Sequence, residues 1–318
     1  MLNILILLAG FVVLILGADK LVDGASSLAS KLGIPNIVIG LTIVAFGTSA
    51  PELVVNVFAA SNNNTDIVLG NIIGSNLFNV LGILGICSLI YPLQVKNNTT
   101  WLEIPLSLLA AIAVFICAND IYFDKMESNL ITRTDGLILL LFFAIFLVYN
   151  ISLSIKSPNT DQEETKQHSY LKDVIFIVLG LIGLVLGGRL IVDSAVSIAE
   201  SFGLSQRVIG LTIVSIGTSL PELATSLVAV RKKNLDIAIG NVVGSNIFNI
   251  FFILGISTVI TPVVVGDQAI LDILLNIFAG LLLFIFIFTG RGRKLERWEG
   301  VVFLIIYTVY LTYLILNG

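Results

Sequence analysis

Gly40-Leu41-Thr42-Ile43-Val44-Ala45-Phe46-Gly47-Thr48-Ser49-Ala50-Pro51-Glu52-Leu53 is written a second time as Gly210-Leu211-Thr212-Ile213-Val214-Ser215-Ile216-Gly217-Thr218-Ser219-Leu220-Pro221-Glu222-Leu223. Of these 14 paired positions 11 are identical; only 45/215, 46/216 and 50/220 differ. Each copy lies in an apolar run long enough to cross a bilayer, which takes about 20 residues. The first copy falls in the second such run and the other in the seventh. An offset of five crossings, an odd number, reverses direction, so the copies enter the bilayer from opposite sides. Duplicated segments of opposite orientation mark an inverted-repeat secondary transporter.

The whole chain fits that class. Its 318 residues are 57% hydrophobic and only 12% charged, with a mean hydropathy of +1.03. Soluble domains carry about 25% charged residues. Apolar runs occur near 2–17, 36–59, 67–90, 101–118 and 136–153, and again near 171–188, 207–229, 237–260, 269–289 and 299–316. The expected fold is an all-α polytopic membrane protein of ten transmembrane helices, arranged as two inverted-topology five-helix repeats. Residues 1–153 form the first repeat, 154–170 a polar cytoplasmic linker and 171–318 the second repeat. No basic stretch precedes Leu2–Leu16 and no small-residue cleavage site follows it, so the first helix is expected to be retained.

Basic residues set the orientation. With the N-terminus outside, 13 of the 17 lysines and arginines fall in cytoplasmic loops, and only Lys125, Arg133, Arg189 and Arg207 fall on the other face. The positive-inside rule therefore puts both termini on the non-cytoplasmic side. The expected location is a prokaryotic inner (plasma) membrane. Cys87 and Cys117 sit in apolar runs and read as small buried hydrophobes. The single histidine, His168, lies in the linker, so neither a thiolate–imidazole metal cluster nor histidine acid–base chemistry is expected.

Two acidic residues lie deep in apolar runs, Glu52 and Glu222. A carboxylate at mid-bilayer costs at least about 2.5–3.5 kcal/mol on insertion scales, so such groups face the protein interior and mark ion pathways. Each follows a proline. Pro51 and Pro221 donate no backbone hydrogen bond, which releases the carbonyls of Gly47 and Gly217 four residues earlier. Irregular backbone at this depth is tolerated only where it lines a cavity or meets a ligand. Gly-Thr-Ser-x-Pro-Glu thus reads as a cluster of oxygen ligands.

A second motif follows each first one. Asp66 to Asn79 matches Asp236 to Asn249 at 9 of 14 positions. Asn71, Ser75 and Asn79 are spaced to share one helix face, as are Asn241, Ser245 and Asn249. Gly70, Gly74, Gly240 and Gly244 form small-xxx-small patterns suited to close helix approach. Two carboxylates with amide, hydroxyl and carbonyl oxygens form a hard-cation site of formal charge −2, better matched to Ca²⁺ than to Mg²⁺. One Ca²⁺, two Na⁺ or two protons neutralise it equally, which is a physical basis for exchange. An enzyme would need an asymmetric acid and base, whereas these ligand sets are duplicates. Nothing in the chain calls for a cofactor, a nucleic acid or an obligatory protein partner.

At Gly47-Thr48-Ser49-Ala50-Pro51-Glu52 and Gly74-Ser75-Asn76-Leu77-Phe78-Asn79, and at their second copies, the chain resembles the sodium/calcium exchanger family, in particular prokaryotic calcium/sodium antiporters without a cytosolic regulatory domain. The resemblance spans essentially the whole chain. It implies a secondary-active antiporter exporting Ca²⁺ in exchange for Na⁺ by alternating access. An H⁺/Ca²⁺ antiporter using the same glutamates is the alternative. It also implies a central Ca²⁺ site of Glu52 and Glu222 with the backbone oxygens of Thr48 and Thr218. Flanking Na⁺ sites would involve Ala45, Ser49 and Ser75 on one side and Ser215, Ser219 and Ser245 on the other, with Asn79 and Asn249 completing the middle. Some relatives carry an aspartate where this chain has Asn249, which puts potassium dependence in doubt.

Overall fold

The computed structural model describes residues 2–156, 169–201, 215–290 and 292–317. Helix α1 (Leu2–Leu32) opens the chain and runs well past the apolar stretch 2–17 that marks its first crossing. The charges at Asp19 and Asp23 do not end it, because Ala18, Leu21, Val22, Ala25 and Ala29 continue a fully buried stripe through them. Next come α2 (Asn36–Thr48), α3 (Ala50–Ser61), α4 (Thr65–Ile90), α5 (Thr99–Cys117) and α6 (Arg133–Lys156). The second half holds α7 (Tyr170–Ser201), α8 (Ser215–Thr218), α9 (Leu220–Arg231), α10 (Leu235–Ile260), α11 (Asp267–Thr289) and α12 (Arg297–Asn317).

Among the described residues eight helices are long and apolar enough to cross a membrane, or nine if the bent pair α2–α3 is one span. The remaining expected segment, 207–229, begins on residues outside the described ones, as do the Gly210–Val214 part of the second motif and positions 157–168 of the linker.

Burial separates the helices into two groups. In α4 and α10, 83% and 78% of the apolar window is buried, whereas the other six long helices bury 22–33%. So α4 and α10 form the interior, and the others present leucine, isoleucine, valine and phenylalanine outward, as lipid-facing helices do. Both interior helices widen into π-helical turns, at Phe78–Leu84 and Phe248–Leu254. An i,i+4 reading does not reveal such turns; each inserts an extra residue per turn and re-aims the side chains around it. Two short antiparallel ladders tie loops together: β1 (Leu93–Gln94) with β4 (Lys294–Leu295), and β2 (Leu130–Ile131) with β3 (Val263–Val264).

α1 and α7 pack antiparallel along a seam of glycines. Gly10 lies against Gly187 and Ile191, Gly17 against Gly180 and Gly183, and Gly24 against Asp173 and Phe176. Lys31 of α1 forms an ion pair with Asp173 of α7. The pair meets the core where Lys232 Nζ, just past α9, reaches Asp19 Oδ1 at 2.6 Å and Asp23 Oδ1 at 2.7 Å. α7 also lies over both repeated motifs: a side chain on Gly47 would meet Leu181, and one on Gly217 would meet Val192.

The seam can be tested. A Cβ at Gly17 would stand within 2.9 Å of main-chain atoms of Gly180 and Leu184, which cannot yield as a flexible side chain would. Overpacking typically costs about 1–3 kcal/mol. Gly17→Leu should lower the melting temperature in detergent by several degrees. Gly70→Ala, where nothing lies within 4 Å, should not.

Candidate functional site

The chain leaves the helix at Ser49 (φ −82°, ψ 7°), and the segments on either side of it meet at 49°. The break falls two residues ahead of Pro51, whose missing N–H and ring cannot continue the preceding helix through the carbonyl of Gly47. The amide of Ser49 bonds back to Ala45 O at 3.0 Å, and Leu53 N bonds to Ser49 O at 3.1 Å to open α3. Ser219 repeats the geometry (φ −91°, ψ 8°) ahead of Pro221. A proline in the first turn wastes no donor, since the first N–H groups of a helix have no partner within it. Each glutamate therefore sits in the first turn of a new helix, where unpaired N–H groups favour negative charge.

Both carboxylates are 1% exposed. Each is held by the serine of the other copy. Ser49 Oγ stands 2.8 Å from Glu222 Oε1, and Ser219 Oγ stands 3.1 Å from Glu52 Oε1. The same two hydroxyls lie 3.0 Å from Ser245 Oγ and Ser75 Oγ respectively. A hydroxyl has one proton, so donating to the carboxylate leaves it to accept from the second serine.

Two polar chains extend the pattern. On one side, Thr48 Oγ1 donates to Asn241 Oδ1 at 3.0 Å, and Asn241 Nδ2 donates to Ser226 Oγ at 3.0 Å and Glu222 O at 3.2 Å. On the other, Asn71 Nδ2 donates to Thr218 Oγ1 at 3.3 Å, while Asn56 Nδ2 donates to Asn71 Oδ1 at 2.8 Å and Glu52 O at 2.7 Å. Four asparagines join α4 to α10. Asn79 Nδ2 donates to Asn246 Oδ1 and Asn249 Nδ2 to Asn76 Oδ1, both at 2.9 Å.

Ser49, Glu222 and Ser245 are thus joined in one hydrogen-bonded group, and Ser219, Glu52 and Ser75 in a second. Thr48 flanks the first through Asn241, and Thr218 the second through Asn71 and Asn56. Ala45 is fully buried, and its carbonyl accepts from Ser49 N and lies 3.3 Å from Thr48 Oγ1. The side chain of Ser215 lies outside the described residues. Asn56, Ser226, Asn76 and Asn246 are polar partners that the sequence reading passed over. The signals were present: Asn56 and Ser226 stand one helical turn after the glutamates, and Asn76 and Asn246 belong to the duplicated Gly-Ser-Asn.

Glu52 Oε2, Glu222 Oε2, Asn79 Oδ1 and Asn249 Oδ1 are buried without a hydrogen-bond donor. Among the described residues no lysine or arginine pairs with either glutamate, and no group of three or more His, Cys, Asp and Glu could hold a metal by itself. A buried acceptor left unsatisfied costs about 1–3 kcal/mol, more when charged. Four unmet oxygens, two of them carboxylate, fit a hard cation bound by mixed carboxylate and neutral oxygens. Protons on the carboxylates are the only other charge compensation this donor set accepts.

Ser49→Ala removes a partner from Glu222 and Ser245 together. It should destabilise the protein by about 1–3 kcal/mol, read as a lower melting temperature in detergent. Ser61→Ala, at an exposed hydroxyl bonded to Val57 O, should change little.

Comparison with known proteins gives a consistent set of likenesses. A profile of the family described as sodium/calcium exchanger protein matches residues 2–152 and 172–316. The putative antiporter CaxA of Alkalimonas amylolytica is 39% identical over 312 residues, covering 95% of each chain. The inner membrane protein YrbG of Escherichia coli K12 is 38% identical, over 81% of this chain and 79% of its own. The sodium/calcium exchanger MaX1 of Methanosarcina acetivorans is 33% identical over 98% of each. Among solved structures, the sodium-calcium exchanger NCX_Mj soaked with Na⁺ and Sr²⁺ superposes with a TM-score of 0.83 at 31% identity, over 98% of both chains.

Proposed function

The chain belongs to the sodium/calcium exchanger protein family, and on that premise we propose a secondary-active antiporter that exports Ca²⁺ against inward Na⁺. The cations occupy by turns one mid-membrane site whose charge comes from Glu52 and Glu222. One observation carries the reading: two fully buried carboxylates from duplicated motifs each keep one oxygen without a donor, and the buried amide oxygens of Asn79 and Asn249 are in the same condition. Ca²⁺ takes six to eight such oxygens in a flexible cage. Thr48, Thr218, Ser49, Ser219, Ser75, Ser245, Ala45 and Ser215 complete the proposed ligand set with Asn79 and Asn249. Charge balance, −2 against one Ca²⁺ or two monovalent ions, makes the loads mutually exclusive.

The proposed architecture is ten spans in two inverted five-helix repeats, 1–153 and 171–318, joined by a cytoplasmic linker at 154–170. Reciprocal hydrogen bonds support it: Ser49 to Glu222 answers Ser219 to Glu52, and Asn79 to Asn246 answers Asn249 to Asn76. Sidedness is supported by which loops touch. Lys31 with Asp173, Lys96 with Asp236, Lys232 with Asp23, and β1 with β4 join only segments assigned to the cytoplasm. β2 with β3, and Thr261 Oγ1 with Ala60 O, join only segments assigned outside. Both termini are then non-cytoplasmic, in a prokaryotic inner membrane. Alternating access follows from sliding of the α1–α7 pair, whose glycine seam holds it together as a unit, across the two motifs.

Purified protein in liposomes separates sodium from proton coupling. ⁴⁵Ca²⁺ uptake should follow an imposed outward sodium gradient and ignore a proton gradient of equal size; the reverse result makes the protein an H⁺/Ca²⁺ antiporter. Glu52→Gln and Glu222→Gln should each reduce exchange to background while the protein still elutes as a folded species in detergent.

A further inference from the structure

Asn79 and Asn249 each have two chemically opposite faces. A carbonyl oxygen attracts a cation, while an amide NH₂ repels it, and half a turn about the terminal torsion exchanges them. The hydrogen bonds of the four-asparagine cluster decide which face each presents. Asn76 Nδ2 lies 3.3 Å from the main-chain oxygen of Asn246, and Asn246 Nδ2 lies 3.5 Å from that of Asn76. A main-chain carbonyl only accepts, so these two amides are oriented with nitrogen toward the backbone and oxygen away from it. Their oxygens then take the Nδ2 groups of Asn249 and Asn79 at 2.9 Å. What remains on Asn79 and Asn249 is the bare carbonyl oxygen, buried and without a donor.

We infer that Asn76 and Asn246 are positioning residues: anchored on each other's main chain, they lock Asn249 and Asn79 with carbonyl oxygen, not NH₂, toward the transported cation. The inference rests on the proposed cation site. All four side chains are 3% exposed or less, so no bulk water replaces a missing partner. The lock is crossed between the halves. Each asparagine of one half is aimed by the other, so the ligand set exists only when α4 and α10 are in register. A cation held by neutral amide oxygens gains nothing from an amide presented backwards, which makes orientation part of affinity.

A double-mutant cycle tests this. Asn246→Leu keeps the side-chain shape and removes the acceptor that holds Asn79 Nδ2. Ca²⁺ affinity of the purified protein, measured by calorimetry, should fall about tenfold or more, the loss of one well-formed ligand. Asn79→Asp has two equivalent oxygens and nothing to orient. In that background Asn246→Leu should change Ca²⁺ affinity less than twofold or raise it, since the oxygen of Asn246 would face a carboxylate. Asn76→Leu with Asn249→Asp is the matching cycle in the other half and serves if the first pair fails to fold. Equal fold losses in both backgrounds would reduce Asn76 and Asn246 to structural supports and overturn the inference alone. Undiminished Ca²⁺ binding by Glu52→Gln and Glu222→Gln would remove the cation site itself, and the inference with it.

Discussion

Two carboxylates with no basic partner among the described residues lie in the buried interior of a membrane protein, and most of the architecture answers that fact. A single unpaired ion transferred from water to such a medium costs several kcal/mol even after relaxation. The chain reduces this cost locally by opening a helix just before each glutamate, so that the charge lies in a first turn, at the positive end of the helix dipole. It then lends each carboxylate a serine from the other half. These measures satisfy one oxygen per glutamate and leave the other open. The residual cost is a binding potential for whatever positive charge enters.

The same constraint explains why the interior helices are the polar ones. α4 and α10 are the most buried long helices, yet they carry asparagines and serines where a soluble core would carry only hydrocarbon. Between helices in lipid there is no hydrophobic driving force, so small residues and interhelical hydrogen bonds supply cohesion. Asn76 and Asn246 provide both cohesion and aim. The outer helices serve a different purpose. α1 and α7 meet through glycines, with backbone against backbone, and touch the core through Gly47, Gly217 and the lysine at 232. Polar bonds cross that boundary at one end, where Lys232 reaches Asp19 and Asp23 and Asn234 reaches Ser26.

Much of this was legible before any coordinates. The duplicated Gly-Thr-Ser-x-Pro-Glu identified the glutamates, and periodicity put Asn71, Ser75 and Asn79 on a common face; each has a partner in the second half, Thr218, Ser219 and Asn246 respectively. Other features were hidden for physical reasons. α1 continues to Leu32 because Asp19 and Asp23 project to Lys232 while a buried stripe runs on beneath them, and hydropathy averages over both faces. The π-helical turns at Phe78 and Phe248 have no compositional mark, being set by how α4 and α10 pack. Asn56 and Ser226 looked like ordinary polar residues because their role depends on Asn71 and Asn241, 15 residues away along the chain.

By itself the sequence determined the membrane class, the duplication and the identity of the buried acids. All of these depend on composition and spacing, which are properties of a one-dimensional string. Only the tertiary structure decided the crossing of partners. Ser49 serves the glutamate of the other copy, Asn246 accepts from Asn79 rather than from a neighbour in its own helix, and one oxygen of each glutamate is left without a donor. A hydrogen bond depends on distance and direction between atoms that the chain separates by some 170 positions. No pattern along the string contains that information until the helices are packed.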